Sequence, residues 1–395
     1  IDAIRTPIGN FGGTLKSIRT DDLAAIPIKE LIKRTKVDPS KIDDVILGCA
    51  NQAGEDNRNI ARMALLLAGF PFSVPGETVN RLCSSGMSAV IHAHRAITSS
   101  DGDLFIAGGV ENMTRGPWII SKVSKAFGRD AQMFDSSFGW RFVNPKMKEL
   151  YGVDGMGVTA ENLAEKYNIS REDQDKFAYH SQMKATNAQC SGRLAEEIVA
   201  IEIPQRKKDP IIFEHDEFIK GKTSIEVLAK LRTAFKKDGG TVTAGNSSGL
   251  NDGAAAMLLA SEKGIKDNNL NPTAKIVSSA VVGVEPRIMG IGPVMASNKA
   301  LAKAGLKMTD MDIIELNEAF SAQALACIRE WGLKDDDERI NPNGGAIAIG
   351  HPLGASGTRI IQTAAIELQK RNKKYALITM CIGVGQGYAT IIERV

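Results

Sequence analysis

The sequence has no apolar run approaching the ~20 residues that a membrane-spanning helix needs, so no helical span is expected. Charge of one sign is equally scarce. The 49 Lys and Arg stand against 46 Asp and Glu, a net +3 that is too little for a general nucleic-acid binder. Five cysteines, an odd number spread from Cys49 to Cys381 with no Cys-x-x-Cys pair, exclude a disulfide framework. The five histidines (His92, His94, His180, His215 and His351) lack ligand spacing with those cysteines, so no metal site is expected. No charged-then-apolar leader is visible in the opening IDAIRTPIG, and a reduced, cytoplasmic setting is the expectation. Aromatics make up only 5%, whereas 38 Gly and 13 Met point to an aliphatic core with close backbone approaches. The 395 residues are 43% hydrophobic and 24% charged, which makes the chain globular and long enough for two or three domains.

Self-similarity organises the chain. IDDVILGCANQ (42–52) resembles MDIIELNEAFS (311–321), each an acidic turn, an apolar β-type run and a polar switch. CSSGMSAVIHAHRAI (83–97) resembles GASGTRIIQTAAIEL (354–368), where Ser-Gly opens an amphipathic helix. Met87, Val90, Ile91 and Ile97 carry the helical spacing in one copy. Ile360, Ile361, Ala364, Ala365 and Leu368 carry it in the other. Each helix leads into an apolar strand, DLFIAGGVE (103–111) or YALITMCIG (375–383). The second copy then reaches GQGYATIIE (385–393) at once, whereas DGAAAMLLA (252–260) lies far beyond Glu111. Residues 112–243 therefore read as an insertion, with helix-like TAENLAEKYNI and REDQDKFAYHSQMKATNAQ. The expected organisation is an N-terminal half over 1–265 carrying that loop domain and a C-terminal half over 274–395, α/β in class. Helices beginning near Ser84 and Ala355 are expected to form a central layer. They would meet through Ser88, Ala89, Ala93, Thr363, Ala364 and Ala365, with His92, His94 and Arg95 either reaching the layer's edge or paired with buried partners.

Four loops combine small residues with a reactive group. NRLCSSG sets Cys83 before a helix start, whose free N–H groups favour a thiolate; a buried structural cysteine is the alternative. NPNGGAIAIGHPLGASG holds His351, and the repeat sets it near Cys83. A Cys–His couple is the minimum for nucleophilic catalysis at neutral pH, with a lone structural histidine as the alternative. TMCIGVGQG puts Cys381 at a strand end beside glycine N–H groups, as an oxyanion pocket requires. It is not a dinucleotide fingerprint, because a strand and not a helix follows. ELNEAFSAQ puts Asn317 at a strand-to-helix switch, where by itself it reads as an N-cap. Two cysteines and one histidine suit a covalent acyl step with a separate proton transfer, and a thioester substrate follows. Cys49, Cys190 and Cys327 lie outside such loops and read as structural.

NRLCSSG, GGVENM, TAGNSSGLNDGAA, NEAF, GGAIAIGHPLGASG and CIGVGQG, in that order over the whole chain, resemble the successive signatures of the thiolase family. The resemblance implies a five-layered αβαβα fold from two similar halves, an inserted loop domain, and a homodimer or homotetramer. It matches Cys83 to the acylated nucleophile, His351 to its base, and Cys381 to the acid/base at the α-carbon. Asn317 matches the residue holding a water that, with His351, binds the thioester oxygen of the forming enolate, and the N–H groups of Cys83 and Gly383 match a second oxyanion hole. Ser248, Ala244, Ala234, Phe235, Phe320 and Met156 match pantetheine or acyl contacts, and Lys220 a nucleotide-binding cation. Coenzyme A would be substrate, with no cofactor, metal, nucleic acid or membrane involved. The implied reaction is thiolysis of 3-oxoacyl-CoA or its reverse, of the degradative type. The alternatives are a short-chain acetyl-CoA acetyltransferase and a non-catalytic lipid-binding relative. Gly155 stands where the short-chain branch has His, which implies a wider pocket. Val384 in the closing motif and FGWRFVNPKMKELYGVD (138–154) resemble the 3-oxoadipyl-CoA branch.

Overall fold

The computed structural model describes residues 1–395. Apolar runs that lack polar alternation make strands covered on both faces. LFIAGGVEN of Leu104–Asn112 is one such run, buried at all nine positions. In the first sheet, β1 is Asp2–Arg5, β2 Asp44–Gly48, β3 Gly76–Val79, β4 Leu104–Asn112 and β5 Asn251–Ala260. Their order is β1-β5-β4-β2-β3, and Gly9–Asn10 also pairs with β5. In the second, β6 is Ala274–Gly283, β7 Ile313–Leu316, β8 Tyr375–Ile382 and β9 Gln386–Arg394, in the order β6-β9-β8-β7.

The pairings repeat. β2 runs parallel to β4, which runs antiparallel to β5, which runs antiparallel to β1. The second sheet has the same series in β7, β8, β9 and β6. β3 is the addition, an edge strand parallel to β2 that leads to Cys83.

Eight helices matter here: α1 (Thr20–Thr35), α2 (Ile60–Leu67), α3 (Ser85–Thr98), α4 (Met156–Lys166), α5 (Arg171–Cys190), α6 (Gly292–Ala304), α7 (Ser321–Glu330) and α8 (Leu353–Lys370). α1 and α2 cover the outer face of the first sheet, burying Leu23, Leu31 and Leu65 against Val45 and Ile106. α6 and α7 cover the second, with Leu301 and Ile328 against Ile314 and Leu377. Between the sheets, Met87, Ile91, Ile360 and Leu368 of α3 and α8 share one cluster with Phe105, Met257, Ile378 and Tyr388. Each such side chain contributes about 1.5–3 kcal/mol by leaving water. This is the five-layered αβαβα arrangement.

α3 and α8 meet as expected, but not mainly through the alanines. The closest approach is at glycines: a Cβ on Gly86 would stand 2.5 Å from the Gly354 carbonyl oxygen and 2.8 Å from Thr358 Oγ1. Alanine-to-alanine contact would hold the two backbones further apart. Arg95 is exposed and His92 and His94 half-buried, at the edge of the layer. Gly86→Val is expected to cost at least about 3 kcal/mol, because its neighbour is backbone and cannot rotate away. A melting temperature equal to wild type would disprove the crossing.

Residues 113–250 separate β4 from β5 and carry the Trp118–Ile120/Met133–Asp135 hairpin together with α4 and α5. Buried ion pairs tie this segment to both halves. The Arg5 guanidinium bonds both Asp216 oxygens (2.7 and 2.8 Å) and Glu197 (3.0 Å). Arg193 bonds Glu197 (2.8 Å) and Glu367 of α8 (2.5 Å). No helix is long and apolar enough to cross a membrane.

Candidate active site

Cys83 lies in a 3₁₀ turn, Leu82–Ser84, between β3 and α3. The turn is held by side chains: Asn80 Oδ1 accepts the Leu82 N–H at 2.9 Å, and Ser85 Oγ donates to the Leu82 carbonyl at 2.6 Å. Leu82 is left with φ +47°, an uncommon conformation for a residue with a side chain. The residue is partly open but its sulfur is enclosed. Burial pushes the Cys83 thiol up to about 11, against the N–H groups of Gly383 and Cys83 itself. The helix start was expected to favour a thiolate. Desolvation outweighs it, so the resting group is the thiol.

His351 lies two residues beyond the short helix Ala346–Ile349 and two before α8. Gly350 there has φ +109°, and a Cβ on it would strike the Asn251 side chain. That side chain accepts the His351 N–H (3.0 Å) and donates to the Gly9 carbonyl (3.0 Å), fixing the turn. Ser356 Oγ donates its one proton to the Pro352 carbonyl (2.8 Å), so His351 Nδ1, 2.7 Å away, must be the donor to that oxygen. Nε2 then carries the lone pair. Burial, with the Arg359 charge behind it, pushes the imidazole down to about 3, so His351 is neutral and ready to accept a proton.

Asn317 Nδ2 stands 3.4 Å from that Nε2. Asn317 is not an N-cap: α7 begins at Ser321 behind Phe320, and Asn317 is fully buried in the preceding turn, its N–H bonded to the Thr379 carbonyl (3.0 Å). Cys381 lies one residue from the end of β8 in an apolar cluster with Ala160, Val242, Met289, Ala319 and Phe320. Burial, reinforced by the Cys83 sulfur, holds its thiol well above the usual range. Gly383 follows, with Met156 Sδ and Leu82 Cδ1 at 3.8 and 3.3 Å from where its Cβ would be. Gly383 therefore lies beside Leu82 of the Cys83 turn and Met156 of α4, and the Cys83 sulfur is near enough to act on Cys381.

The other expected contacts form a wall leading outward. Phe235 and Phe320 meet edge to face at 6.2 Å, and the Phe235 ring lies against Gly157 of α4. The Ser248 N–H bonds the Ala319 carbonyl (3.0 Å) and the Ala234 N–H bonds the Val242 carbonyl (3.0 Å), with Ala244 exposed between those strips. Lys220 sits further out, its Nζ 4.9 Å above the Phe218 ring, which packs against Gly249.

The profile of the thiolase N-terminal domain matches residues 1–263 and that of the thiolase C-terminal domain residues 270–394. The chain belongs to the thiolase family. Over 395 residues it is 58% identical to the 3-oxoadipyl-CoA/3-oxo-5,6-dehydrosuberyl-CoA thiolase of Escherichia coli K12, covering 100% of this chain and 98% of the relative. It is 56% identical to a beta-ketoadipyl-CoA thiolase of Acinetobacter baylyi at the same coverage. Among solved structures, the acetyl-CoA acetyltransferase of Bacillus anthracis superposes with a TM-score of 0.92 at 40% identity, covering 100% of this chain and 98% of that one.

Three features of this thiolase escape sequence reasoning. Glu111, buried at the end of β4, accepts N–H groups from Ala50, Asn51 and Gly354, so it joins the loop after β2 to the first turn of α8. Burial pushes it up to about 7. An acid closing an all-apolar strand is the signal that marks it. Cys49 Sγ and an Asp56 oxygen lie within 4.8 Å of a Glu111 oxygen, a spacing a metal could use. Both Glu111 oxygens are already spent on N–H groups, and Cys49 donates to the Asn51 carbonyl (2.9 Å). Asn251 and Ser356, which orient His351, lie inside quoted motifs without a visible role. Of the three cysteines read as structural, Cys49 and Cys327 are buried but Cys190 is exposed at the end of α5. Val384 has φ +62° in the loop joining β8 to β9, an uncommon conformation for a β-branched residue. A cavity of about 790 Å³ lies elsewhere, lined by Ile1, His94, Met257 and Ile392 among others, and none of its lining residues belongs to the site.

Proposed function

We propose that this thiolase cleaves 3-oxoadipyl-CoA with CoA, giving acetyl-CoA and succinyl-CoA, through an acyl group on Cys83. His351 Nε2 takes the Cys83 proton as the sulfur attacks the 3-oxo carbon. The C2–C3 bond breaks, and the electron pair passes to the thioester as an enolate held between His351 and Asn317. Cys381 donates its proton to the α-carbon, and acetyl-CoA departs. CoA then enters, loses its thiol proton to the Cys381 thiolate, and attacks the acyl-enzyme. Cys83 leaves and regains its proton from His351. The N–H groups of Cys83 and Gly383 would hold the oxyanion of each tetrahedral intermediate.

The observation that carries the reading is the neutral His351 with its lone pair on Nε2 beside Asn317, together with two thiols, Cys83 and Cys381, that both rest protonated. That arrangement supplies one base and one acid without a change of tautomer. The substrate follows from relatives whose names specify 3-oxoadipyl- or beta-ketoadipyl-CoA at 54–58% identity. A Cβ on Gly155 would meet nothing within 4 Å, in keeping with space beside the thioester. The enzyme would work as a homodimer or homotetramer. The test is the absorbance of the 3-oxoacyl-CoA enolate: 3-oxoadipyl-CoA should be consumed only when CoA is present, and faster than acetoacetyl-CoA. Consumption independent of CoA would sink the reading, and a preference for acetoacetyl-CoA would replace it with the short-chain one.

A further inference from the structure

We propose that Arg141 receives the distal carboxylate of a dicarboxylic acyl group held on Cys83, and so sets the preference for 3-oxoadipyl-CoA over a neutral chain of equal length. The inference rests on the thiolysis proposed above. A succinyl group on Cys83 would carry a carboxylate into a pocket lined by Met156 and Leu82, where an unpaired charge is costly. Some cation must meet it.

Several cations around this end of the molecule are committed, and the unpaired Arg58 is exposed. Arg115 is paired with Glu55 (2.7 Å), Arg19 with Asp21 (2.9 Å) and Arg287 with Asp154 (2.9 Å). Arg81, two residues from the nucleophile, donates to Ser88 Oγ (3.0 Å) and Gln386 Oε1 (3.1 Å) and lies over the Tyr388 ring, which turns it into the central layer. Arg141 differs. It is half-buried, forms no ion pair, and makes only two long bonds to neutral acceptors, the Ser136 carbonyl and Asn51 Oδ1, both at 3.3 Å. Three of its five N–H donors are unspent. The nearby Asp56 is turned to the Gly54 N–H (2.8 Å).

Its position fits. Asn51, which accepts from Arg141, adjoins Ala50, whose carbonyl takes the Asn80 amide (3.0 Å), and Asn80 in turn holds the Leu82 N–H beside Cys83. On its other side the loop is fixed at the start of α4: Trp140 Nε1 donates to the Asp154 carbonyl (3.2 Å), two residues before Met156. Residues 140 and 141 therefore bridge the nucleophile turn and the α4 wall of the same pocket. A planar guanidinium with free donors is the group that grips a carboxylate in two places.

The experiment compares kcat/KM for 3-oxoadipyl-CoA and 3-oxohexanoyl-CoA in the full-length wild type, Arg141→Met and Arg141→Lys. Wild type should prefer the dicarboxylic substrate. Arg141→Met should lower the ratio of the two about 10- to 100-fold, the scale of one lost charge-assisted contact, chiefly through KM. Arg141→Lys should restore part of it, because charge remains while the planar fork is lost. A wild-type ratio that persists in Arg141→Met, with both substrates falling together, overturns the inference alone and makes Arg141 a loop support. A wild type without preference overturns the substrate reading as well. Should Arg141→Met fail to fold, a full wild-type ratio in Arg141→Gln would overturn the inference in the same way.

Discussion

Cys83→Ser is expected to lower thiolysis by about 10⁴–10⁶-fold, the scale seen when a covalent nucleophile is removed. Incubating the wild type with acyl-CoA in the absence of acceptor should leave the acyl group on the peptide that contains Cys83. The variant should carry none. Cys190 is the internal control, because it is an exposed thiol remote from the pocket motifs and will react with general alkylating reagents. Alkylation of Cys83 itself has a defined pH dependence. With the thiol raised to about 11 by burial, its thiolate fraction keeps rising tenfold per pH unit through neutrality, so the rate should show no plateau below about pH 10. A plateau near pH 7, or an acyl label on Cys49, Cys190 or Cys327, would refute the assignment.

Cys381→Ser should cost about 10²–10⁴-fold in turnover, the contribution of one general acid/base, while Cys83 is still acylated by acetyl-CoA, more slowly, because CoA can depart as a thiolate without the Cys381 proton. The split arises because Cys381 lies among Ala160, Met289 and Phe320, where its proton is held until an enolate needs it. A serine hydroxyl is a far weaker acid and cannot alternate between donor and base. Exchange of the α-protons of acetyl-CoA with deuterated solvent should fall by the same factor. His351→Ala, by contrast, should lose acylation and turnover together, since it removes the base for Cys83 and the Asn317 partner at once. Normal turnover in Cys381→Ser beside an inactive His351→Ala would leave His351 as the only proton carrier and overturn the division of labour.

The internal repeat was legible because both copies bury the same faces. Strands such as DVILG and YALITMCI must be apolar throughout when helices cover them on both sides, and that pattern survives divergence. The insertion was visible for the converse reason, since it interrupts the first copy and leaves the second intact. The residues proposed to react carry a local signal as well: Cys83, His351 and Cys381 each stand in a glycine-rich loop at a helix start or strand end. Asn317 was legible as a polar switch, yet its environment was not. The spacing of NEAF suits an N-cap, and only the placement of Phe320 at the helix start shows that Asn317 faces His351 instead.

Protonation belonged to the tertiary structure alone. A helix N-terminus predicts an acidic Cys83 and says nothing of desolvation, which depends on how the folded chain encloses the sulfur. The His351 tautomer depends on where the single Ser356 proton goes, a matter of a few tenths of an ångström around the Pro352 carbonyl. Glu111 could be read as the end of a strand but not as the acceptor that holds Gly354 and Asn51 together, because its partners come from positions 60 and 243 residues away. By itself the sequence carried the internal repeat, the segment that interrupts its first copy and the identity of the groups proposed to react, since periodicity and loop composition are local properties. The charge each group carries, the direction of its lone pairs and the free guanidinium of Arg141 arise from burial and contacts between distant segments, which only the folded chain brings about.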